Sequence, residues 1–354
     1  MTGSVQPESK DRLIEPTAAL VDGGPLTESQ IACWRHQGFA LVDGLFPREL
    51  IRNLLEVAQA RFPEVDSDEA QLRNDFGDGM TFPDESDEFN DLSLHLRLLE
   101  ASAQLLEVSV HDLRLTQSDL WPKYGRPSGD RGRFDNQDQR IHVDYPNHTL
   151  THPASWSQPE AVEVIIYLCD QTDVGGATAI VPRKGPLDEA YMPPMVNTPG
   201  VGDVPWINDR LQAEEWFVQH RPDVAAFRAT LYEREVYTQY KTGSALLYRH
   251  DVWHRGTPLA SGALRLAHNL TFKKADASWI STLHPGWAWA MYQPDQRMER
   301  LIAGLRPEQR SVLGFPFPGD PYWDMEKLRA VEARYGPLGF DTSPYRKALS
   351  WTGR

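Results

Sequence analysis

Between Asp112 and Lys274 the chain breaks into short β-rich runs separated by turn residues. The runs are "DLRLTQSDLW", "RIHVD", "AVEVIIYL", "ATAIVP", "SALLYRHDVWH" and "ALRLAHNLTFK". The first alternates apolar and polar residues with period two, the signature of a strand. Turn signals such as Gly175-Gly176 and Gly262 fall between runs. Several short strands in such a series predict a sandwich or barrel. Helical patterns flank the series. Thr27 and Gln30 form a capping box ahead of "ESQIACWRHQ", and Gly38 is a helix stop before the strand "FALVDGLF". Pro47 opens a second helix, and "DLSLHLRLLEASAQLLE" reads as a third, packed outside a sheet. The expected class is α+β, mainly β with helices: a β-sandwich core wrapped by helices. The core spans about residues 112–274, with a helical extension over 275–354. Residues 1–26 read as a flexible tail and 27–354 as one domain.

Composition limits the partners. A net charge of -14 speaks against nucleic acid, whose binding rests on Lys and Arg neutralising phosphates. No run of eighteen apolar residues spans a membrane, and the start carries no signal core. Cys33 and Cys169 are too few for a disulfide framework and read as small hydrophobes in apolar surroundings. The expected setting is the cytoplasm and the expected ligand a small molecule.

Three side chains stand out. His142 and Asp144 lie two apart in "RIHVD", and i, i+2 residues of a strand share a face. The pair alone is a common motif. A mononuclear non-haem iron site needs two imidazoles and one carboxylate on one side of the metal. His254, after the apolar run "SALLY", is the candidate third ligand from another strand. Eleven residues on, Arg265 falls within the next strand. An arginine pointing into a barrel is costly unless it meets a carboxylate. A dicarboxylate cosubstrate would meet it.

This arrangement resembles the phytanoyl-CoA dioxygenase family of Fe(II)- and 2-oxoglutarate-dependent oxygenases. The resemblance covers about residues 27–274. It rests on His142-x-Asp144, on His254 roughly a hundred residues later, on the spacing to Arg265, on "YLCDQTDVGGATAIVP" and on the opening "ESQIACWRHQGFALVDGLF". It implies a double-stranded β-helix (jelly-roll, cupin-like) core and a dioxygenase using Fe(II), 2-oxoglutarate and O2. It implies His142, Asp144 and His254 as metal ligands and Arg265 on the distal carboxylate of 2-oxoglutarate. Gln117 resembles a family glutamine lining the cosubstrate pocket, with Trp121 on the same face. Many members carry a serine two residues after the distal histidine; here Gly256 stands there and Thr257 follows, a further cosubstrate-binding candidate. After "VP" the family often has Gly-Ser-His, and this chain has Arg183-Lys184-Gly185. An acyl-CoA substrate is therefore not inherited.

The resemblance implies hydroxylation of a small metabolite with release of succinate and CO2. The alternatives are a non-catalytic small-molecule-binding barrel, an oxygenase-fold halogenase, which would lack Asp144, or a metal-dependent barrel enzyme that does not use 2-oxoglutarate. The acidic stretch from Glu64 to Asp91 reads as a solvated loop. The Pro- and Gly-rich stretch from Arg183 to His220 reads as irregular chain able to reach over the open end as a lid. A helix, "PDVAAFRATLYEREVYTQY", follows it. Tyr145, Trp156, Trp206 and Trp216 are candidates for a substrate wall. His250 reads as structural or superficial, His148 and His152 as loop histidines, and nothing singles out His111 or His268.

Overall fold

The computed structural model describes residues 12–72, 79–126, 138–145, 154–192, 198–200, 203–204, 206–207, 209–277 and 297–352. Its strands are β1 (Leu13–Ile14), β2 (Thr17–Ala18), β3 (Phe39–Asp43), β4 (Met80–Thr81), β5 (Leu113–Tyr124), β6 (Ala161–Tyr167), β7 (Thr178–Ile180), β8 (Val236–Thr238), β9 (Ala245–Tyr248), β10 (His254–Gly256) and β11 (Leu264–Lys274). The first eight helices are α1 (Glu28–Gln37), α2 (Arg48–Arg61), α3 (Asp68–Leu72), α4 (Asp87–Ser93), α5 (Leu96–Leu106), α6 (Gln171–Val174), α7 (Arg210–His220) and α8 (Pro222–Glu233). A large sheet has the order β2-β3-β9-β6-β11-β5-β4 and a small one the order β1-β8-β7-β10. From β5 onward the chain passes back and forth between the two sheets, as a jelly roll requires. The sheets face each other without closing into a barrel.

Local chemistry fixes the ends of the elements. The Thr27 hydroxyl accepts from Gln30 N while the Gln30 side chain accepts from Thr27 N, and Gly38 ends α1 at φ 103°. Strand β9, "ALLY", is buried along its length because helices cover one side and the small sheet the other. Two apolar layers result. The outer one joins Leu54, Leu98, Leu105, Val164, Leu270 and Phe272 to Trp323 and Tyr345 of the C-terminal helices. The inner one, between the sheets, contains Ile141, Val143, Ile180, Leu246, Trp253 and Ala267.

Several expectations change. Residues 12–26 are not all tail: β1 pairs in parallel with β8, and β2 with β3. The acidic stretch folds partly onto the sheet edge, since β4 pairs with β5 and Phe82 is buried; residues 73–78 lie outside the described residues. The third helix is two, α4 and α5, broken at Leu94 and His95 so that Leu92 and Leu98 both reach the core. The stretch 183–220 is not irregular throughout, because α7 occupies its end. The helix after it stops at Glu233, and "VYT" forms β8. Among the described residues no helix is long and apolar enough to cross a membrane.

Candidate metal centre

The site is assembled by main-chain pairing before any side chain acts. His142 N donates to His254 O at 3.0 Å and His254 N to His142 O at 2.9 Å, an isolated antiparallel bridge between two distant segments. Asp144 N and Tyr145 N both donate to His250 O, at 2.9 and 2.8 Å. His250 is thus neither superficial nor a ligand: its carbonyl holds the backbone that carries the carboxylate, and its ring is buried. These rungs place His142, Asp144 and His254 together, with one ligand atom from each within 4.8 Å of the others.

The rings are oriented as well as close. Nδ1 of His142 lies 3.0 Å from Arg140 O, and Nδ1 of His254 lies 3.0 Å from Val252 O. A carbonyl only accepts, so each Nδ1 carries the proton and each Nε2 keeps its lone pair when the ring is neutral. Both Nε2 atoms turn toward Asp144, at 3.6 Å from Oδ1 for His142 and 3.2 Å from Oδ2 for His254. Tyr248 donates its hydroxyl to Asp144 Oδ2 at 3.1 Å. Two imidazole nitrogens and a carboxylate, with both Nδ1 atoms tied back, are the donor set and outer support of a mononuclear iron site.

Burial and charge set the protonation. Burial, helped by the neighbouring His254, lowers the His142 pKa to about 4, so His142 is neutral. Burial pushes the Asp144 carboxyl up, but the His254 charge and hydrogen bond, His142 and the Tyr248 hydroxyl together hold it below the usual carboxylate range. Burial lowers the His254 pKa, but the charge and hydrogen bond of Asp144 outweigh it and leave it raised.

Arg265 sits on β11, whose register places it opposite Lys123 on β5. Its Nη1 donates to Gly176 O at 2.9 Å, while its Nε is buried with no hydrogen-bond partner among the described residues. Lys123 is 5% exposed. A buried guanidinium nitrogen without a partner is costly, and a carboxylate is the group that suits it. Thr257 is close by in the chain of contacts: its N and hydroxyl both donate to Ala177 O, next to Gly176. Gln117 is elsewhere. A bulge after Thr271 turns Gln117, Asp119, Trp121 and Lys123 to the inner face, and Gln117 pairs with Thr271, six residues from Arg265. At about 3.3 Å per residue it stands roughly 20 Å along the sheet from Arg265.

The inner face holds a row of which the sequence singled out only Gln117. Gln117, Thr271, Glu163 and Tyr248 follow one another across β5, β11, β6 and β9. The Thr271 hydroxyl donates to Glu163 Oε2 and lies 3.4 Å from Gln117 Oε1. Burial, and then the Asp144 charge, push the Glu163 pKa well above the usual range. The one available signal was a glutamate interrupting the apolar run "AVEVIIYL". The wall candidates do not converge on the metal centre. Trp156 is clamped between Arg249 and Arg183, at 3.9 and 4.4 Å from its ring, with Nε1 bonded to Arg35 O. Trp216 stacks on His220, and Trp206 is exposed. Tyr145 is buried in the inner layer. His148 and His152 lie outside the described residues. Arg183, which stands where the family often has glycine, serves this clamp.

The sequence profile described as phytanoyl-CoA dioxygenase (PhyH) matches residues 34–267. The chain belongs to the phytanoyl-CoA dioxygenase family. It is an Fe(II)- and 2-oxoglutarate-dependent oxygenase, as that family's enzymes are. The profile runs from the last turn of α1 into β11 and so encloses all three convergent side chains and Arg265. No curated protein sequence matches the chain significantly. Three solved structures are similar to this family member. The non-heme alpha ketoglutarate dependent carbocyclase SnoK from nogalamycin biosynthesis is 15% identical, with 76% of this chain and 92% of that chain covered at a TM-score of 0.49. EctD from S. alaskensis, with 2-oxoglutarate and 5-hydroxyectoine, is 13% identical, with 73% and 79% covered at 0.48. EvdO2 from Micromonospora carbonacea var. aurantiaca, complexed with 2-oxoglutarate, is 13% identical, with 74% and 96% covered at 0.47.

Proposed function

We propose that His142, Asp144 and His254 hold the Fe(II), that Arg265 anchors the far carboxylate of 2-oxoglutarate, and that the enzyme hydroxylates a small-molecule metabolite. The carrying observation is the convergence of two Nε2 atoms on one carboxylate, with both Nδ1 atoms tied to carbonyls. Iron, when bound with 2-oxoglutarate, would activate O2, so that one oxygen atom enters the substrate C–H bond and the other enters succinate as CO2 is released. The protein's part is placement and shielding. The His142–His254 bridge sets the ligand spacing. The Tyr248 hydroxyl keeps Asp144 oriented and ionised. Arg265, whose Nε is buried without a partner among the described residues, offers that nitrogen to the far carboxylate, and Thr257 is carried as a neighbouring polar contact. Gln117, with Thr271 and Glu163, gives the other end of the inner face a polar surface for substrate.

Asp144 supports hydroxylation over halogenation, because a halide would need the position that the carboxylate takes. The test is succinate formation from 2-oxoglutarate and Fe(II), screened across a metabolite library by mass spectrometry for a product heavier by one oxygen. Iron-dependent succinate with a chlorinated product, or product formed without 2-oxoglutarate, overturns the reading.

A further inference from the structure

Behind the metal centre, on the face of β10 opposite His254, lies an ion-pair network that the oxygenase chemistry does not use. Arg255 follows His254 in the strand, so its side chain leaves on the other face. Its Nε and Nη2 donate to the two oxygens of Glu235, at 2.6 and 2.9 Å, and its Nη1 donates to Asp138 Oδ1 at 2.5 Å. The second oxygen of Asp138 accepts from Arg210, at 2.8 Å from Nε and 2.5 Å from Nη2. Arg210 is the first residue of α7. One carboxylate therefore spans a strand that carries a candidate ligand and a helix that carries none.

The place of Asp138 in the chain gives the bridge its meaning. It lies four residues before His142, at the head of the described segment 138–145. Beside it, Gln139 N donates to Gly256 O at 3.1 Å and Gly256 N to Gln139 Oε1 at 2.7 Å. The α7–α8 hairpin has a small apolar cluster of its own, built on Val204, Ala213 and Phe217. Helix α8 also joins the inner apolar layer, with Leu231 buried beside Ile141 and Val143, whereas Arg210 of α7 reaches the metal-bearing segment through the Asp138 carboxylate. Arg228, fully buried, bonds Glu214 and Pro199 O, and the Thr198 hydroxyl reaches Ile141 O at 2.6 Å. Arg210, Arg255 and Arg228 also surround the Tyr232 ring, at 5.2, 5.5 and 5.9 Å. Charge-assisted, two-pronged pairs of this kind fix geometry more tightly than apolar contact does.

We propose that Asp138 is a positioning residue: by holding Arg255 on one oxygen and Arg210 on the other, it makes docking of the α7–α8 hairpin and alignment of His142 and Asp144 against His254 a single event. This rests on the reading of those three residues as the metal ligands. Ligand loading then tightens α7, although α7 supplies no ligand.

The test is hydrogen exchange followed by mass spectrometry on the full chain, without oxygen, with and without Fe(II) and 2-oxoglutarate. In the wild type, residues 138–145 and 210–220 should both slow on loading, by roughly tenfold or more, the scale of a local opening made harder by one strong interaction. In Asp138→Asn, which keeps the shape and loses the charge, 138–145 should still slow while 210–220 does not. Asp138→Glu should restore part of the α7 response. Arg210→Ala breaks the same link from the helix side and gives the same pattern if Asp138→Asn folds poorly. Equal slowing of α7 in wild type and Arg210→Ala overturns the proposal, as does a wild type in which only 138–145 slows. If 138–145 does not respond in the wild type, the ligand assignment itself has failed and the proposal falls with it.

Discussion

Strand β11 presents a buried polar residue on each of its faces, and the two sides have different fates. Outward, His268 is sealed against the helices: it stacks on Phe89 at 4.5 Å, and its Nε2 lies 2.8 Å from the Ser118 hydroxyl, which in turn meets Ser93. Inward, Arg265, Asn269 and Thr271 face the small sheet and the metal centre. His268 is as buried as His254, and burial drives its pKa down to about 3. What separates them is the ring's orientation and company. The Nδ1 of His254 is tied to a carbonyl and its Nε2 meets a carboxylate also faced by a second imidazole. The ring of His268 faces hydroxyls and a phenyl ring and has no carboxylate within reach of an ion pair among the described residues. Burial alone drives the His268 pKa down; convergence with Asp144 and His142 is what makes His254 a candidate ligand.

The largest effect that could break this contrast is loss of a ligand. His254→Ala or His142→Ala should abolish stoichiometric Fe(II) binding, read by anaerobic titration, and remove succinate formation, whereas His268→Gln should still bind one Fe(II) per chain. Iron retained in His254→Ala sinks the assignment. Next comes Arg265→Ala, which should weaken 2-oxoglutarate binding by about 2–5 kcal/mol, as expected when one partner of a shielded charge pair is removed. Iron binding should stay intact, and Arg265→Lys should recover only part, for want of the guanidinium fork. A collapse of iron affinity with unchanged cosubstrate binding assigns Arg265 to the wrong job.

The outer face answers to pH. His268 has its folded pKa lowered to about 3 from an ordinary 6.5. The unfolded chain therefore takes up the proton first, so this contribution is complete above about 6.5 and is lost as pH falls toward 3, at about 1.4 kcal/mol per unit. His142, lowered to about 4, acts the same way in the metal-free protein over the narrower window. Denaturant melts of His268→Gln across pH 7 to 4 should show a flatter acid limb than wild type, and an unchanged limb would remove His268 from the account. The smallest effect belongs to Ser93→Ala, which leaves the Ser118–His268 bond in place. It should cost about 1 kcal/mol in the same melts and nothing in iron binding.

The sequence pointed to the candidate centre where chemistry is local. His142 and Asp144 are two apart, and a strand puts them on one face; His254 follows the apolar run "SALLY", and Arg265 falls within the next strand. The rest depended on pairing partners far away in the chain. Leu13–Ile14 became strand only because β8 was there to receive it, and "VYT" left the helical pattern of α8 to pair with β7. Helix α7 escaped notice because only Ala213 and Phe217 are buried along it, so it shows no broad apolar stripe; the cap at Asp209, whose carboxylate accepts from Gln212 N, was the readable sign. Glu163 and Lys123 could not be placed from sequence, because a polar residue in a doubly covered strand does not announce which side it faces. The bulge in β5 decides that for Gln117 and Lys123.

The pairing of His142 with His254 gives the centre a threshold rather than a slope. Each residue is the other's backbone partner, so the separation of the imidazoles is written in peptide geometry and not in side-chain packing. Substitutions in the surrounding loops can reshape what binds nearby without retuning that separation. A slip of one residue between the two segments, by contrast, would swing an imidazole to the far side of its strand. The proposed ligand set is then either complete or missing a member, with no detuned version between, so a protein population carrying a damaged loop should contain fully competent and fully inert molecules in varying ratio.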